Sequence, residues 1–219
     1  MIAEGKHIYL YGDRNETVPL VIVNTFQGDG SSVYSILCSI TDKKVNLAVI
    51  SDINWEDEMS PWECPPLRKK DSPCTGGADK YLCKLTDSII PAIKKELDAV
   101  PEYIAIAGYS LAGLFAIYSL YKTDIFSRVV SASGSMWFPD FVEYTENNKF
   151  CRRPDRVYFS LGDKETHTRN VLLSAVEDKT NEIYRHYKDS GIDTVFELNP
   201  GNHFNDADIR LAKGIAWIL

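Results

Sequence analysis

Three kinds of side chain stand where they could share one reaction. Ser110 lies in Gly108-Tyr109-Ser110-Leu111-Ala112-Gly113, between the apolar run Tyr103–Ala107 and a second apolar run that begins at Leu111. A serine exposed on a sharp strand-to-helix corner sits on strained backbone, so the residues two before and two after it must be small. Gly108 and Ala112 meet that need. A hydroxyl becomes a nucleophile only beside a base, and the base needs an acid to orient it. Of the four histidines, His203 sits in "ELNPGNHFND", a Pro/Gly loop between the last strand-like run and the last helical one. His7 precedes the sheet core, His186 falls inside a helical pattern, and His167 lies in a polar loop. The acid is expected one strand earlier, in "GDKETHTRN", where Asp163 and Glu165 both qualify. Its task would be to fix the imidazole tautomer and stabilise the imidazolium. The chain order Ser, acid, His is the order in which this chemistry is assembled on a strand–turn–helix frame.

An acyl-transfer site also needs two donors for the developing oxyanion. One is expected from the backbone N–H of Leu111, at the helix start directly after the serine; the other from Phe26 or Gln27, after "PLVIVNTF". Gly28 and Gly30 in "QGDGSSVYS" are not a dinucleotide fingerprint, because position 33 is Val. Trp137, in "SASGSMWF", and Trp55 and Trp62, in the long segment 52–77, are candidates for an aromatic wall around an apolar substrate, with Tyr109 beside the serine. The plainer alternative is that Trp137 plugs the rim of the core.

Strand-like runs recur as "HIYLYG", "VPLVIVNTF", "VNLAVIS", "YIAIAG", "RVVSAS", "RVYFSLG" and "TVFELN". The middle runs are almost continuously apolar, as strands buried on both faces of a parallel sheet must be. Helical patterns fall between them. Tyr81, Leu85, Ile89, Ile93 and Leu97 share one face, with Pro91 expected to kink that helix. Leu111–Lys122 is apolar nearly all round, Val171–Ser190 is amphipathic and stops at Gly191, and 206–219 closes the chain. Such alternation predicts an α/β fold, a doubly wound and mostly parallel sheet flanked by helices, in a single domain over 1–219. The segments 52–77 and 135–154 are too long for plain connections, so they are candidate binding loops.

Composition narrows the function. The 219 residues suit one sizeable core, and a net charge of −7 argues against a broad nucleic-acid footprint. No apolar run reaches the ~20 residues of a membrane span, and the first ten residues lack the apolar core of a signal peptide, so a cytoplasmic protein is expected. Five cysteines without a Cys-x-x-Cys motif suggest neither a zinc site nor a disulfide framework. Cys38 and Cys83 are expected as core thiols, whereas Cys64 and Cys74 flank a loop and could pair under oxidising conditions. No cofactor or metal is called for, and the expected partner is a small-molecule ester.

From about Val18 to the end, the chain resembles the α/β-hydrolase superfamily, and within it the Putative esterase group of esterase D and enterochelin-esterase-like hydrolases. "AGYSLAGLFA", "VVSASGSMWF", "SLGDKE" and "NPGNHF" carry the resemblance. It implies an eight-stranded type of sheet, a Ser110–Glu165–His203 triad and ester hydrolysis through an acyl-enzyme. By the same analogy the acid stands three positions after the strand-terminal Gly162, which selects Glu165 over Asp163. Three departures stand out: Ala112 replaces the usual glycine, "NTFQGDG" lacks the His-Gly that many relatives carry there, and the chain is short, with no separate cap domain expected. Acyl transfer to another acceptor, thioester cleavage, and a non-catalytic binding role on the same fold are the alternatives.

Overall fold

The computed structural model describes all residues, 1–219. In chain order the elements are β1 (Ile2–Ala3), β2 (Lys6–Tyr11), β3 (Leu20–Asn24), α1 (Ser31–Ile40), β4 (Asn46–Ile50), α2 (Trp55–Glu58), β5 (Glu63–Cys64), β6 (Cys74–Thr75) and α3 (Ala78–Lys84). After a π-helical turn (Leu85–Ile89) come α4 (Ile90–Lys95), β7 (Ile104–Tyr109), α5 (Leu111–Ser119), β8 (Phe126–Ala132), α6 (Phe141–Asn147), β9 (Arg156–Gly162), α7 (Val171–Ser174), α8 (Val176–Asp189), β10 (Asp193–Asn199) and α9 (Ala207–Ile218). The main sheet has eight strands in the order β1-β2-β4-β3-β7-β8-β9-β10. The pairs β1–β2 and β2–β4 are antiparallel and all the others parallel, as a doubly wound sheet requires.

The continuous apolar runs follow from burial on both faces. In β3, Leu20 and Ile22 enter one core cluster while Val21 and Val23 enter the other; in β7, Ile104 and Ile106 part from Ala105 and Ala107 in the same way. Helices α1 and α9 cover the smaller cluster, and α3, α4 and α5 contribute to the larger. All nine residues of α5 are buried, which explains why its sequence shows no polar face.

Strand order reverses between β3 and β7, neighbours in space whose chains continue toward opposite edges. In open α/β sheets the crevice outside the strand C-termini at such a reversal is where ligands bind. The turn after β3 carries Phe26 and Gln27, and the turn after β7 carries Ser110.

Some expectations need correction. Cys38 and Cys83 are exposed. Each follows a buried leucine, Leu37 or Leu82, and one residue further along a helix turns about 100° away from the core. Cys64 and Cys74 are direct cross-strand partners in the β5–β6 ribbon, and both are free thiols. The helix expected over Val171–Ser190 is broken at Ala175: Asn170 caps an exposed first turn, and Val176 then enters the core. Pro91 sits in the first turn of α4, directly after the π-helical turn, so the missing N–H falls where the α-helical bonding pattern is already interrupted. The segment 52–77 is largely structured: Met59, Ser60 and Cys64 are buried, and Trp62 packs in a ring of aromatics.

Candidate active site

Ser110 occupies the corner between β7 and α5 with φ 59° and ψ −124°, a conformation that side-chain-bearing residues rarely adopt. The corner closes so tightly that a Cβ on Gly108 would lie 2.2 Å from the carbonyl of Ala112, so position 108 admits only glycine. The Ser110 carbonyl accepts the N–H groups of Gly113, Leu114 and Ser135, which holds the corner in place. The amide of Leu111 stands unbonded at the N-terminus of α5, where the helix dipole adds partial positive charge.

His203 projects from the β10–α9 loop. Its Nε2 lies 3.1 Å from Ser110 Oγ, and its Nδ1 lies 2.8 Å from Glu165 Oε2. Glu165 comes from the loop after β9, and its other oxygen, Oε1, accepts from the Gly162 amide (2.6 Å), the Ser133 hydroxyl (2.7 Å) and Arg210 Nη1 (3.1 Å). Burial pushes this carboxyl up, but the His203 imidazole, the Gly162 amide and the Ser133 hydroxyl outweigh that and hold it below its ordinary range. It is therefore an ionised acceptor at neutral pH.

Asp163 points elsewhere. Its Oδ1 accepts the Gly201 amide (2.8 Å), which ties the β9 loop to the His203 loop. Lys164 N–H reinforces that tie by donating to the Gly201 carbonyl (3.0 Å). A Cβ on Gly162 would meet that same carbonyl at 2.3 Å, so the two loops approach this closely only because residue 162 lacks one. Tyr109 supports the site from below: its hydroxyl donates to the His203 carbonyl (2.8 Å).

Two clefts open on either side of Ser110 and His203. One, of about 500 Å³, is lined by Trp137, Leu67, Arg68, Lys164 and His167 among others. The second, of about 670 Å³, is lined by Phe26, Gln27, Trp55 and Tyr109 among others, with Phe26 edge-on to Trp55 at 5.3 Å. Trp62 lines neither. It lies among Tyr118, Phe138, Phe141 and Tyr144, and its indole N–H donates to the Pro139 carbonyl (3.0 Å). The expectation that Trp62 contacts substrate is thus corrected: four residues beyond the helix that presents Trp55, the chain has turned the indole into this aromatic ring, away from both clefts.

Sequence reasoning missed Ser133 and Arg210. Ser133 sits at the end of β8 with φ 45°, aimed at Glu165. Arg210 is 1% exposed, and it also donates to Ser133 Oγ (3.1 Å), Tyr109 Oη (3.3 Å) and the Pro200 carbonyl (2.9 Å). The signal for Arg210 was present: it lies on the face of α9 that buries Leu211, Gly214, Ile215 and Ile218, where a charge is out of place unless paired.

A mostly parallel eight-stranded sheet with Ser, His and Glu joined above the strand C-termini is an α/β-hydrolase-type architecture. The Putative esterase family model matches residues 31–204, and the chain belongs to this family; it is an enzyme of the esterase class. Among solved structures, an IroE-like serine hydrolase from Shewanella oneidensis aligns with a TM-score of 0.78 at 19% identity, covering 97% of this chain and 75% of that one. The siderophore hydrolase EstA of Aspergillus nidulans aligns with a TM-score of 0.71 at 16% identity, over 97% and 89%. YbbA of Bacillus subtilis (strain 168), an uncharacterised protein, is 24% identical over 174 residues, 74% of this chain and 70% of that one.

Proposed function

We propose that the chain hydrolyses carboxylic esters through an acyl-enzyme on Ser110. The observation that carries this reading is the unbroken hydrogen-bonded path Ser110–His203–Glu165. His203 Nε2 takes the Ser110 proton as Oγ bonds to the ester carbonyl carbon. The carbonyl oxygen becomes an oxyanion, held by the Leu111 amide and by an amide of the Phe26–Gln27 turn. The C–O bond to the alcohol then breaks, and His203 returns the proton to the departing oxygen. Water, activated by the same base, attacks the acyl carbon and frees Ser110. Glu165 keeps the proton-bearing Nδ1 of His203 toward itself and stabilises the imidazolium in both steps. The His203 side chain is 31% exposed, so water reaches the acyl carbon, which favours hydrolysis over transfer to another acceptor.

A fluorophosphonate probe is expected to label the wild-type protein once, at Ser110, and Ser110→Ala to abolish both labelling and turnover of p-nitrophenyl butyrate. Undiminished turnover in Ser110→Ala would refute the reading. Added alcohols that divert the product from free acid to a new ester would move it to acyl transfer.

A further inference from the structure

This inference rests on the hydrolase reading and concerns which ester it takes. The two clefts that meet at Ser110 differ in charge. The larger is lined by three carboxylates, Asp29, Glu56 and Asp208, and by no lysine or arginine. The smaller is lined by Arg68, Lys164 and His167. Its carboxylates are Asp71 and Glu165, and Glu165 is already held by Arg210 and His203. None of the protein's salt bridges includes Arg68, Lys164 or His167. Lys69 and Lys70 follow Arg68 on the exposed loop between β5 and β6, and Arg169 follows on the facing loop. The fixed cations Arg68, Lys69, Lys70, Lys164 and Arg169, none of them in a salt bridge, are gathered here in a chain of net charge −7.

The two loops are joined over the cleft. Asn170 Nδ2 donates to the Leu67 carbonyl (3.1 Å), which fixes the base of the cationic loop against the loop that carries Glu165. Trp137, Leu67, Leu173 and Val176 supply apolar wall between the charges and Ser110. Asp71, which is in no salt bridge either, offsets part of this charge, so the cleft keeps a net positive lining rather than a purely cationic one. A concave site with a net positive lining and low-dielectric walls raises the local concentration of anions.

We propose that the cleft between residues 65–73 and 163–170 is an anion subsite, selecting esters that carry a carboxylate on an aryl or short aliphatic body. An anionic substrate is steered there because the opposite cleft repels it. The anion can belong to the acyl or to the alcohol half, and two matched ester pairs tell these apart. For the acyl half, p-nitrophenyl hemisuccinate is compared with p-nitrophenyl butyrate. For the alcohol half, 4-acetoxybenzoate is compared with 4-acetoxybenzamide.

In one pair the anionic ester is expected to exceed its neutral partner in kcat/KM by on the order of 3- to 10-fold at low salt, the worth of two exposed ion pairs. The preference should shrink toward parity at about 0.5 M salt. Arg68→Glu/Lys164→Glu, both exposed positions whose folding is checked by thermal melting, should reverse the ratio, while Lys149→Glu on a remote surface should leave it as in the wild type. Parity or disfavour of both anionic esters in the wild type would overturn the subsite, as would a ratio unmoved by the double charge reversal. These outcomes differ from failure of the hydrolase reading, in which the neutral esters too are left intact and the fluorophosphonate does not react.

Discussion

Replacing Arg210 with methionine tests whether the arginine positions the acid or merely fills space. Arg210 Nη1 is one of three donors that occupy Glu165 Oε1 and leave only Oε2 free for His203. Its charge acts on the base as well. Summing 3.1 Å from Nη1 to Oε1, the width of a carboxylate, and 2.8 Å from Oε2 to His203 Nδ1 puts the guanidinium at most about 8 Å from the imidazole. At an effective dielectric of about 20, a unit charge at that distance destabilises the imidazolium by about 2 kcal/mol. Solvent at the part-exposed His203 reduces this to roughly half. Removing the guanidinium relieves the imidazolium by that amount but leaves Glu165 Oε1 one donor short, so the carboxylate no longer holds the imidazole firmly against Ser110. A misplaced catalytic group costs up to about 100-fold, which outweighs the relief, so kcat should fall on the order of 10-fold while KM changes little. Loss of one partner of a buried ion pair should also cost about 3 kcal/mol of stability, visible in thermal melts. Arg210→Lys should recover part of kcat while failing to span Glu165 and Pro200 together. A folded Arg210→Met enzyme whose kcat matches the wild type would refute the positioning role, whatever its melting temperature.

Further outcomes follow from the same geometry. Glu165→Gln should lower kcat by about 10⁴-fold, because the wrong tautomer is held, whereas Asp163→Asn should cost under tenfold, since Asp163 only ties Gly201. Comparable losses in the two variants would return the acid's role to open question. Gly108→Ala places a methyl 2.2 Å from the Ala112 carbonyl, so fluorophosphonate labelling should collapse even where circular dichroism shows a folded sheet. Trp137→Ala should raise KM for aryl esters with little change in melting temperature, and Trp62→Ala should do the reverse, losing about 2–3 kcal/mol of stability. The lowered Glu165 pKa contributes stability that is complete above the ordinary carboxylate value of about 4.3 and is lost as pH falls through the lowered one; the acid unfolding limb of Glu165→Gln should therefore be shallower, as measured by denaturant melts from pH 2 to 6.

Much of the sheet was legible because burial on both faces writes itself as continuous apolar residues, and "RVYFSLG" coincides with β9 from end to end. The same burial made α5 recognisable as an interior helix. Ser110, Glu165 and His203 could be picked out as candidates because each follows its strand within four residues. What escaped was whatever depended on the angular position of one residue. Cys38 and Trp62 lie in segments that do contribute to the core, yet one points outward and the other away from the clefts. Arg210 escaped for the opposite reason. It lies squarely on the buried face of α9, and only its partners, 45, 77 and 101 residues earlier in the chain, explain a charge there.

The strained positions show why those partners converge. Six residues other than glycine have positive φ, and three of them, Asp52, Ser110 and Ser133, come within two residues of the C-terminal ends of β4, β7 and β8. At Ser110 the strain lifts the hydroxyl toward His203; at Ser133 it turns the hydroxyl onto Glu165. Such conformations cost of order 1–3 kcal/mol each and persist only where surrounding bonds over-determine them. The Ser110 corner is held by three amides on its carbonyl, and Ser133 is held by Glu165 and Arg210. Arg210 thus reaches both the acid and the second strained serine, and stability surrendered at two strand ends is recovered through one buried guanidinium. Arg210→Met should accordingly loosen Ser133 as well as Glu165, and a double-mutant cycle of Arg210→Met with Ser133→Ala should show coupling of at least about 0.5 kcal/mol in thermal stability. Additive losses would mean that the two supports act independently.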